Sequence, residues 1–300
     1  MHYPGQRLTR HSMIRFPLRP TRRFHKTDAA HGVGPGSLSG SVGKVTELTT
    51  VMLIVPTYNE ANNILALVER VRRAAGSEPI LFIDDNSPDG TSERIRHVQR
   101  SDRHVHLLHR PGKGGYGSAC RDAIRKVLME DLADRMIHFD ADLSHPPELL
   151  PRMIELLNDH PVVIGSRYVS GGGSLNWDLR RRILSYGANL YARVLTGVPV
   201  HDMTSGFVGY RADALRGIDL DSISSEGYAF LMEMKLSLYR SGFTFCEFPI
   251  VFREREAGRS KFSRKIMIEG MKFPLRAAAS RIGHRTGATV HRTQVGRVSE

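Results

Sequence analysis

Cysteine is nearly absent: the 300-residue chain has two, Cys120 and Cys246. Two thiols that far apart exclude a disulfide framework and a cysteine-rich zinc site, and they fit a reducing compartment. Both sit in apolar surroundings by pattern and are expected to be buried. Tryptophan occurs once, as Trp177. Long uncharged apolar runs are missing too. A membrane span needs about 20 such residues, and the most apolar stretch, 183–200, is broken by Arg193 and carries Gly, Asn and Pro. No spanning segment is expected. Acidic residues are scarce at the two ends. Residues 1–50 hold 8 Lys/Arg against 2 acids, and residues 272–300 hold 6 against 1. The stretch between them, with 29 basic and 28 acidic residues, is almost neutral, although the whole chain carries +12. Basic ends can bind nucleic acid or an anionic membrane, or simply stay solvated. The neutral body argues against a nucleic-acid partner.

The N-terminal segment 1–48 is rich in Arg, Pro, Gly and Ser without apolar periodicity, and reads as a disordered basic tail. From Val51 the pattern changes. Short apolar runs at Val51–Pro56, Ile80–Asp84, Val105–His109, Met136–Asp140 and Val162–Gly165 suit strands buried on both faces. Between them, helical spacing appears at Asn59–Ala75, Thr91–Gln99, Gly117–Met129 and Pro147–Asn158. Strands alternating with helices predict an α/β domain, a mostly parallel central sheet with helices on both faces. The expected organisation is a catalytic domain over 49–252, a basic loop with C-terminal interface helices over 253–283, and a second tail over 284–300.

Ligands of such sheets bind beyond the carboxyl ends of the strands. There the chain places Pro56-Thr57-Tyr58-Asn59-Glu60, Asp84-Asp85-Asn86-Ser87-Pro88-Asp89-Gly90-Thr91 and Asp140-Ala141-Asp142. Three acidic clusters on one edge repel unless cations or hydrogen-bond donors lie among them. Asp140 and Asp142, two apart at a strand end, are expected to point the same way. Paired hard oxygens suit Mg²⁺ or Mn²⁺, which complete their shells with water and substrate phosphate. A diphosphate is the implied partner. The usual phosphate motifs are absent: Gly112–Gly117 fails the dinucleotide-binding pattern, and Gly43-Lys44 lacks the rest of a P-loop.

PTYNE, DDNSPDGT and DADLSHPPE (140–148) resemble the family-2 inverting glycosyltransferases of the GT-A, Rossmann-like fold. More narrowly, the chain resembles the dolichol-phosphate-mannose and polyprenol monophosphomannose synthases. That likeness continues through GSRYVSGGG (165–173), residues 177–182, HDMTSGFVGYR (201–211), EGYAF (226–230) and PIVFREREAGRSK (249–261). The resemblance implies that Pro56, Tyr58, Glu60, Ile83 and Asp85 hold the guanosine and ribose of GDP-mannose. It implies that Asp140, Ala141 and Asp142 hold the diphosphate and its metal, and that Arg167, Arg255 and Lys261 contact phosphates. Arg181 and Ser185 match positions near the phosphate of a polyprenyl-phosphate acceptor, with a register uncertain by one residue because Arg180 and Arg182 adjoin. The implied enzyme is a short form without C-terminal membrane helices. It would lie at the cytoplasmic face of a membrane, through the lipid surface or a membrane-embedded partner protein. A UDP-glucose-dependent glucosyltransferase is the alternative within the class. A nucleotidyltransferase lacks its Gly-rich first loop here.

Some features can be read without the family. Three arginines, Arg180, Arg181 and Arg182, in the first turn of a predicted helix oppose its dipole, a conflict relieved by a bound anion. Ile183, Leu184, Leu190, Tyr191, Val194 and Leu195 form a stripe behind them. Phe262, Ile266, Met267, Met271 and Phe273 predict an amphipathic helix broken at Pro274, either packed on the core or lying at a membrane interface. His145 beside the acidic pair reads as a packing or capping histidine rather than a ligand. Trp177 either stacks on a sugar or packs internally.

Overall fold

The computed structural model describes residues 50–253 and 264–282; both predicted tails, Arg255 and Lys261 lie outside them. The strands are β1 (Val51–Thr57), β2 (Ile80–Asp84), β3 (Val105–His109), β4 (Arg135–His138), β5 (Val162–Ser166), β6 (Gly173–Ser174), β7 (Val208–Arg211), β8 (Phe245–Pro249) and β9 (Val251–Phe252). The helices are α1 (Ile64–Ala75), α2 (Thr91–Gln99), α3 (Tyr116–Met129), α4 (Leu150–Leu156), α5 (Leu179–Thr196), α6 (Ala212–Arg216), α7 (Gly227–Arg240) and α8 (Arg264–Ile282).

The main sheet runs β3-β2-β1-β4-β7-β5-β8, and a β6-β9 pair stands apart from it. All its pairings are parallel except those of β7, which runs antiparallel to both β4 and β5. Alternation along each strand divides the buried side chains between two layers. Val51, Leu53 and Val55 of β1 join Ile64, Leu67, Val68 and Val71 of α1 and Leu150 and Met153 of α4 in one core. Met52 and Ile54 are buried on the opposite face, the side of α3 and α7. Each such side chain removed from water contributes about 1.5–3 kcal/mol, which is why these strands read as continuous apolar runs.

Several predicted boundaries shift, among them the end of the fourth strand, which stops at His138 rather than Asp140. The first helix begins at Ile64 rather than Asn59, because the backbone N–H groups of Asn59, Glu60 and Ala61 donate to Ser87 Oγ, Thr91 Oγ1 and Asp89 Oδ2 instead of starting a helix. The fourth helix opens with a 3₁₀ turn at Pro147–Leu149. The last helix is not broken at Pro274; it runs through that residue to Ile282. An interior proline costs about 3 kcal/mol, offset here by packing against α5 and α7, with Phe273 and Ala277 buried.

Candidate active site

The carboxyl ends of β1, β2 and β4 meet at one edge, and the protein itself engages much of the acid collected there. Asp84 is fully buried and accepts from Thr57 Oγ1 (3.2 Å), Ser87 N–H (3.1 Å) and Ser92 Oγ (2.7 Å). Asp89, one residue ahead of the next helix's N-cap Gly90, accepts from Thr91 N–H at 3.0 Å. Asp85 accepts from the N–H groups of Gly114 (2.9 Å) and Gly115 (2.8 Å) and pairs with the Arg110 guanidinium. Asp85 thus fastens the strap after β3, and Lys113 of that strap lays its ammonium 3.7 Å from the centre of the Tyr58 ring. Of the other predicted nucleoside residues, Pro56 lies beside Ile83 in the β1–β2 register, with Ile83 buried. Glu60 is buried and accepts from Asn63 Nδ2 at 2.7 Å. The structure therefore brings Pro56, Tyr58, Glu60, Ile83 and Asp85 to one place.

Asp140 and Asp142 lie beyond the last residue of β4, so strand alternation does not set their directions as expected. Asp140 has 31% of its side chain exposed, while Asp142 is buried and accepts from Ser144 N–H at 3.1 Å. Ala141 between them is buried. Leu143 turns the chain at φ 63°, a left-handed conformation that a branched residue adopts only under constraint from its surroundings. His145 closes the turn: its Nδ1 accepts from Asp140 N–H at 3.2 Å, its ring stacks on Phe207 at 5.5 Å, and burial lowers its pKa against the pull of both aspartates. It is a packing and capping histidine. Tyr116 Oη reaches Asp140 Oδ1 at 3.5 Å, and burial, with that carboxylate near, pushes the phenol well above its ordinary pKa.

The donor set suits a hard divalent cation. Among the described residues no group of three or more His, Cys, Asp or Glu is arranged to hold a metal, so a closed zinc-type site is excluded there. Two carboxylates suffice for an ion that takes its remaining ligands from phosphate and water. Gly206 keeps the flank of Asp140 open: a Cβ there would lie 3.1 Å from Tyr116 Oη and 3.6 Å from Asp140 Oδ1.

A second cluster adjoins across β5 and β7. Arg167 is clamped by Asp202, which accepts from its backbone N–H (3.0 Å), Nε (2.8 Å) and Nη2 (2.7 Å). Asp202 is held in turn by Glu247 on β8, whose carboxylate accepts the backbone N–H groups of His201 and Asp202. The Arg167 charge keeps the Asp202 carboxyl below its usual range despite burial. Beneath them lies Lys235, fully buried, donating to Met203 O (3.2 Å) and Ser205 O (2.9 Å); burial lowers its pKa to about 8. On α5, Ser185 Oγ accepts from Tyr168 Oη at 2.6 Å, and Arg181 sets its guanidinium 4.1 Å from the centre of the Trp177 ring. Arg182 turns elsewhere, donating to Ser174 O at 3.0 Å. The dipole conflict expected in the first turn of α5 is met internally: Asp178 is the N-cap, accepting from Arg181 N–H at 2.7 Å.

Arg110 and Lys235 escaped sequence reasoning, and Glu226 entered it only as the first residue of the EGYAF motif, with no role. Glu226 caps α3, accepting from Gly117 (2.6 Å) and Ser118 (2.9 Å) N–H groups, and its own N–H donates to Glu269 of α8 at 3.1 Å. Lys235 left one signal, a lone cation on the apolar face of Ala229–Leu238. The expected stripe on α5 is an outward one: Ile183, Leu184, Leu190 and Val194 are exposed, as are Met267, Ile268, Met271 and Leu275 on α8. The two helices pack together, with Tyr191 Oη donating to Met271 O at 2.9 Å. No helix among the described residues is long and apolar enough to cross a membrane.

A mostly parallel α/β sheet with an acidic turn at its carboxyl edge and an arginine cluster beside it has the GT-A architecture. The model of glycosyl transferase family 2 matches residues 52–218, and the chain belongs to that family. It is 42% identical over 221 residues to an undecaprenyl-phosphate mannosyltransferase of Micrococcus luteus, covering 74% of this chain and 90% of that one. It is 40% identical over 222 residues to the polyprenol monophosphomannose synthase of Mycolicibacterium smegmatis, covering 73% and 83%. The dolichol-phosphate mannosyltransferase of Saccharomyces cerevisiae is 34% identical over 228 residues, covering 72% and 82%. Among solved structures, glucosyl-3-phosphoglycerate synthase of Mycobacterium tuberculosis superposes with a TM-score of 0.56 at 15% identity, over 78% of this chain and 81% of that one. That likeness speaks for the fold.

Proposed function

We propose that this glycosyltransferase moves mannose from GDP-mannose to a polyprenyl phosphate, with inversion at the anomeric carbon and with Mg²⁺ or Mn²⁺ as cofactor. The observation that carries the reading is a juxtaposition. The open acidic turn at Asp140–Asp142 and the Arg167–Arg181–Ser185 cluster share one sheet edge, and the helix bearing Arg181 exposes an apolar face. The names and coverage of the relatives agree with it.

In this reading Pro56, Tyr58, Glu60, Ile83 and Asp85 hold the nucleoside, and Asp140, Ala141 and Asp142 hold the diphosphate and its cation. When bound, the cation supplies positive charge against the leaving diphosphate. A phosphate monoester loses its second proton near a pKa of about 6, so the acceptor oxygen is already anionic at neutral pH and needs no general base. That oxygen forms the bond to mannose C1 as the bond to GDP breaks. Arg181 and Ser185 orient the acceptor phosphate, while Arg167, locked on Asp202, adds a fixed cation. Arg255 and Lys261 belong to the same phosphate set. The apolar faces of α5 and α8 lie on the membrane surface, flanked by the exposed Lys272 and Arg276. A membrane-embedded partner seated on that face is the other arrangement.

The test supplies purified protein with radiolabelled GDP-mannose or UDP-glucose, polyprenyl phosphate, and Mg²⁺, Mn²⁺ or EDTA, and counts label in the organic phase. Metal-dependent counts from GDP-mannose alone are expected. Counts from UDP-glucose instead replace the sugar, and no counts from either donor, with membranes present, refute the activity.

A further inference from the structure

Tyr168 stands two residues past the end of β5, and its phenol crosses to α5, donating to Ser185 Oγ at 2.6 Å. Its ring has two fixed neighbours. The Arg167 guanidinium carbon lies 5.2 Å from the ring centre, and the Tyr186 ring meets it at 5.8 Å and 68°. Arg167 is itself held by Asp202 and by Thr204 Oγ1, the latter at 2.9 Å. Asn189, one turn beyond Ser185, is buried and donates to Ser185 O (2.8 Å) and Thr204 Oγ1 (3.2 Å). The turn of α5 that carries Ser185 is therefore fastened to the Arg167 cluster from both ends.

A serine hydroxyl has one hydrogen to give and two lone pairs with which to accept. Inside a helix that hydrogen commonly turns back to the carbonyl four residues earlier. Ser185 is half-buried, and among the described residues no group accepts its hydrogen. The phenol, the stronger acid of the two hydroxyls, takes the donor's part in the pair. Burial raises its pKa, against the Arg167 charge and hydrogen bonds with Ser185 and Asn189, so Tyr168 keeps its proton at neutral pH. A phenol donating to a hydroxyl that donates to an anion forms a chain polarised in one direction, each link strengthening the next.

We propose that Tyr168 is a positioning residue for the acceptor phosphate: by donating to Ser185 Oγ it aims the serine's own hydrogen at that phosphate. The inference rests on the reading above, in which Ser185 meets the acceptor. Without the phenol, the serine hydrogen turns back to its helix carbonyl. The acceptor KM then rises about two- to tenfold, the range of one neutral hydrogen bond, while the donor KM does not follow.

The experiment uses the full chain with farnesyl phosphate as a short acceptor, varying acceptor at saturating donor and the reverse. Wild type, Tyr168→Phe, Ser185→Ala and the double variant form a cycle. Tyr168→Phe removes the hydroxyl and keeps the ring beside Arg167 and Tyr186. It is expected to raise the acceptor KM as stated, and Ser185→Ala to raise it at least as much. The double variant is expected to match Ser185→Ala, because the phenol acts through the serine. A merely structural tyrosine would add its effect to that of Ser185→Ala. With an active wild type, additive effects, or an acceptor KM untouched by Tyr168→Phe, overturn the positioning role and leave the function standing. Calorimetric titration of the same four proteins with farnesyl phosphate reads the site without turnover. If the wild type transfers no mannose, the functional reading fails and the titration decides alone. Weaker binding in Tyr168→Phe that disappears in the Ser185→Ala background supports the proposal; equal binding, or none by the wild type, overturns it.

Discussion

Replacing Asp202 by Asn tests how the arginine cluster is held together. The carboxylate is fully buried and accepts three hydrogen bonds from Arg167, at 3.0, 2.8 and 2.7 Å. It also faces the buried Lys235 ammonium. Asn keeps one acceptor oxygen and removes the charge, leaving two buried cations with Glu247 as the remaining counter-charge. Breaking a buried pair from one side costs about 3–5 kcal/mol. For a domain of this size each kcal/mol lowers Tm by about 2–4 °C, so the expected fall is about 6–20 °C in circular-dichroism melts at pH 7. Replacing both partners, as Arg167→Met with Asp202→Leu, should cost less than Asp202→Asn alone, since no charge is stranded. The sign with pH follows from the direction of the Asp202 shift. Its folded pKa is lowered, so its stabilisation is present above the unfolded value of about 3.9 and is lost as pH falls below it. The gap between wild type and variant should therefore close in acid. A Tm within 2 °C of wild type at pH 7 would refute the claim that this pair supports the cluster.

Asp140→Asn and Asp142→Asn should each lower transfer at least about a hundredfold, with melting nearly unchanged for the more exposed Asp140; full activity in either removes the proposed cation site. Lys235, at a folded pKa of about 8 against 10.5, gives up its proton in the native state first, so the unfolded chain binds more protons between those values and stability rises with pH. Relative to Lys235→Met, the wild type should gain about 3 kcal/mol from pH 8 to pH 10.5, read by urea unfolding. Leu190→Glu with Val194→Glu, on the outward face of α5, should weaken flotation with anionic vesicles at least about tenfold while sparing turnover of farnesyl phosphate in solution; unchanged flotation would move the membrane contact elsewhere.

The strands were legible because they are buried on both faces and so read as uninterrupted apolar runs, and their order placed the acidic turn correctly. The sequence could not say which carboxylates were already committed. Asp84 and Asp85 look alike in a row of letters, yet one is sealed among hydroxyls and the other ties down the Gly114–Gly115 strap, which lies thirty residues away. Local grammar also failed where packing overrode it: Pro274 sits inside a continuous helix, and Lys235 is buried because two loop carbonyls and distant acids receive it. Asp178 was within reach, since an aspartate just before a helical run is a standard N-cap signal, and it resolves the charge conflict of the arginine turn.

The reversed direction of β7 has a consequence for motion. Its pairing with β4 sets Ile137 opposite Gly209, and its pairing with β5 sets Val163 opposite the same glycine. Strands β4 and β5 are therefore joined through β7 into one continuous sheet, and Gly209 is pressed so closely from the end of α4 that a Cβ there would lie 2.8 Å from Cδ1 of Leu157, the residue just past that helix. In the proposed transfer, sugar and lipid phosphate would meet over this single sheet rather than between two lobes swinging shut. In that reading the ladder hydrogen bonds of β4, β7 and β5 hold the strand ends in place, and any adjustment to substrate falls to the turns beyond them, those of Asp140 and Asp202 included.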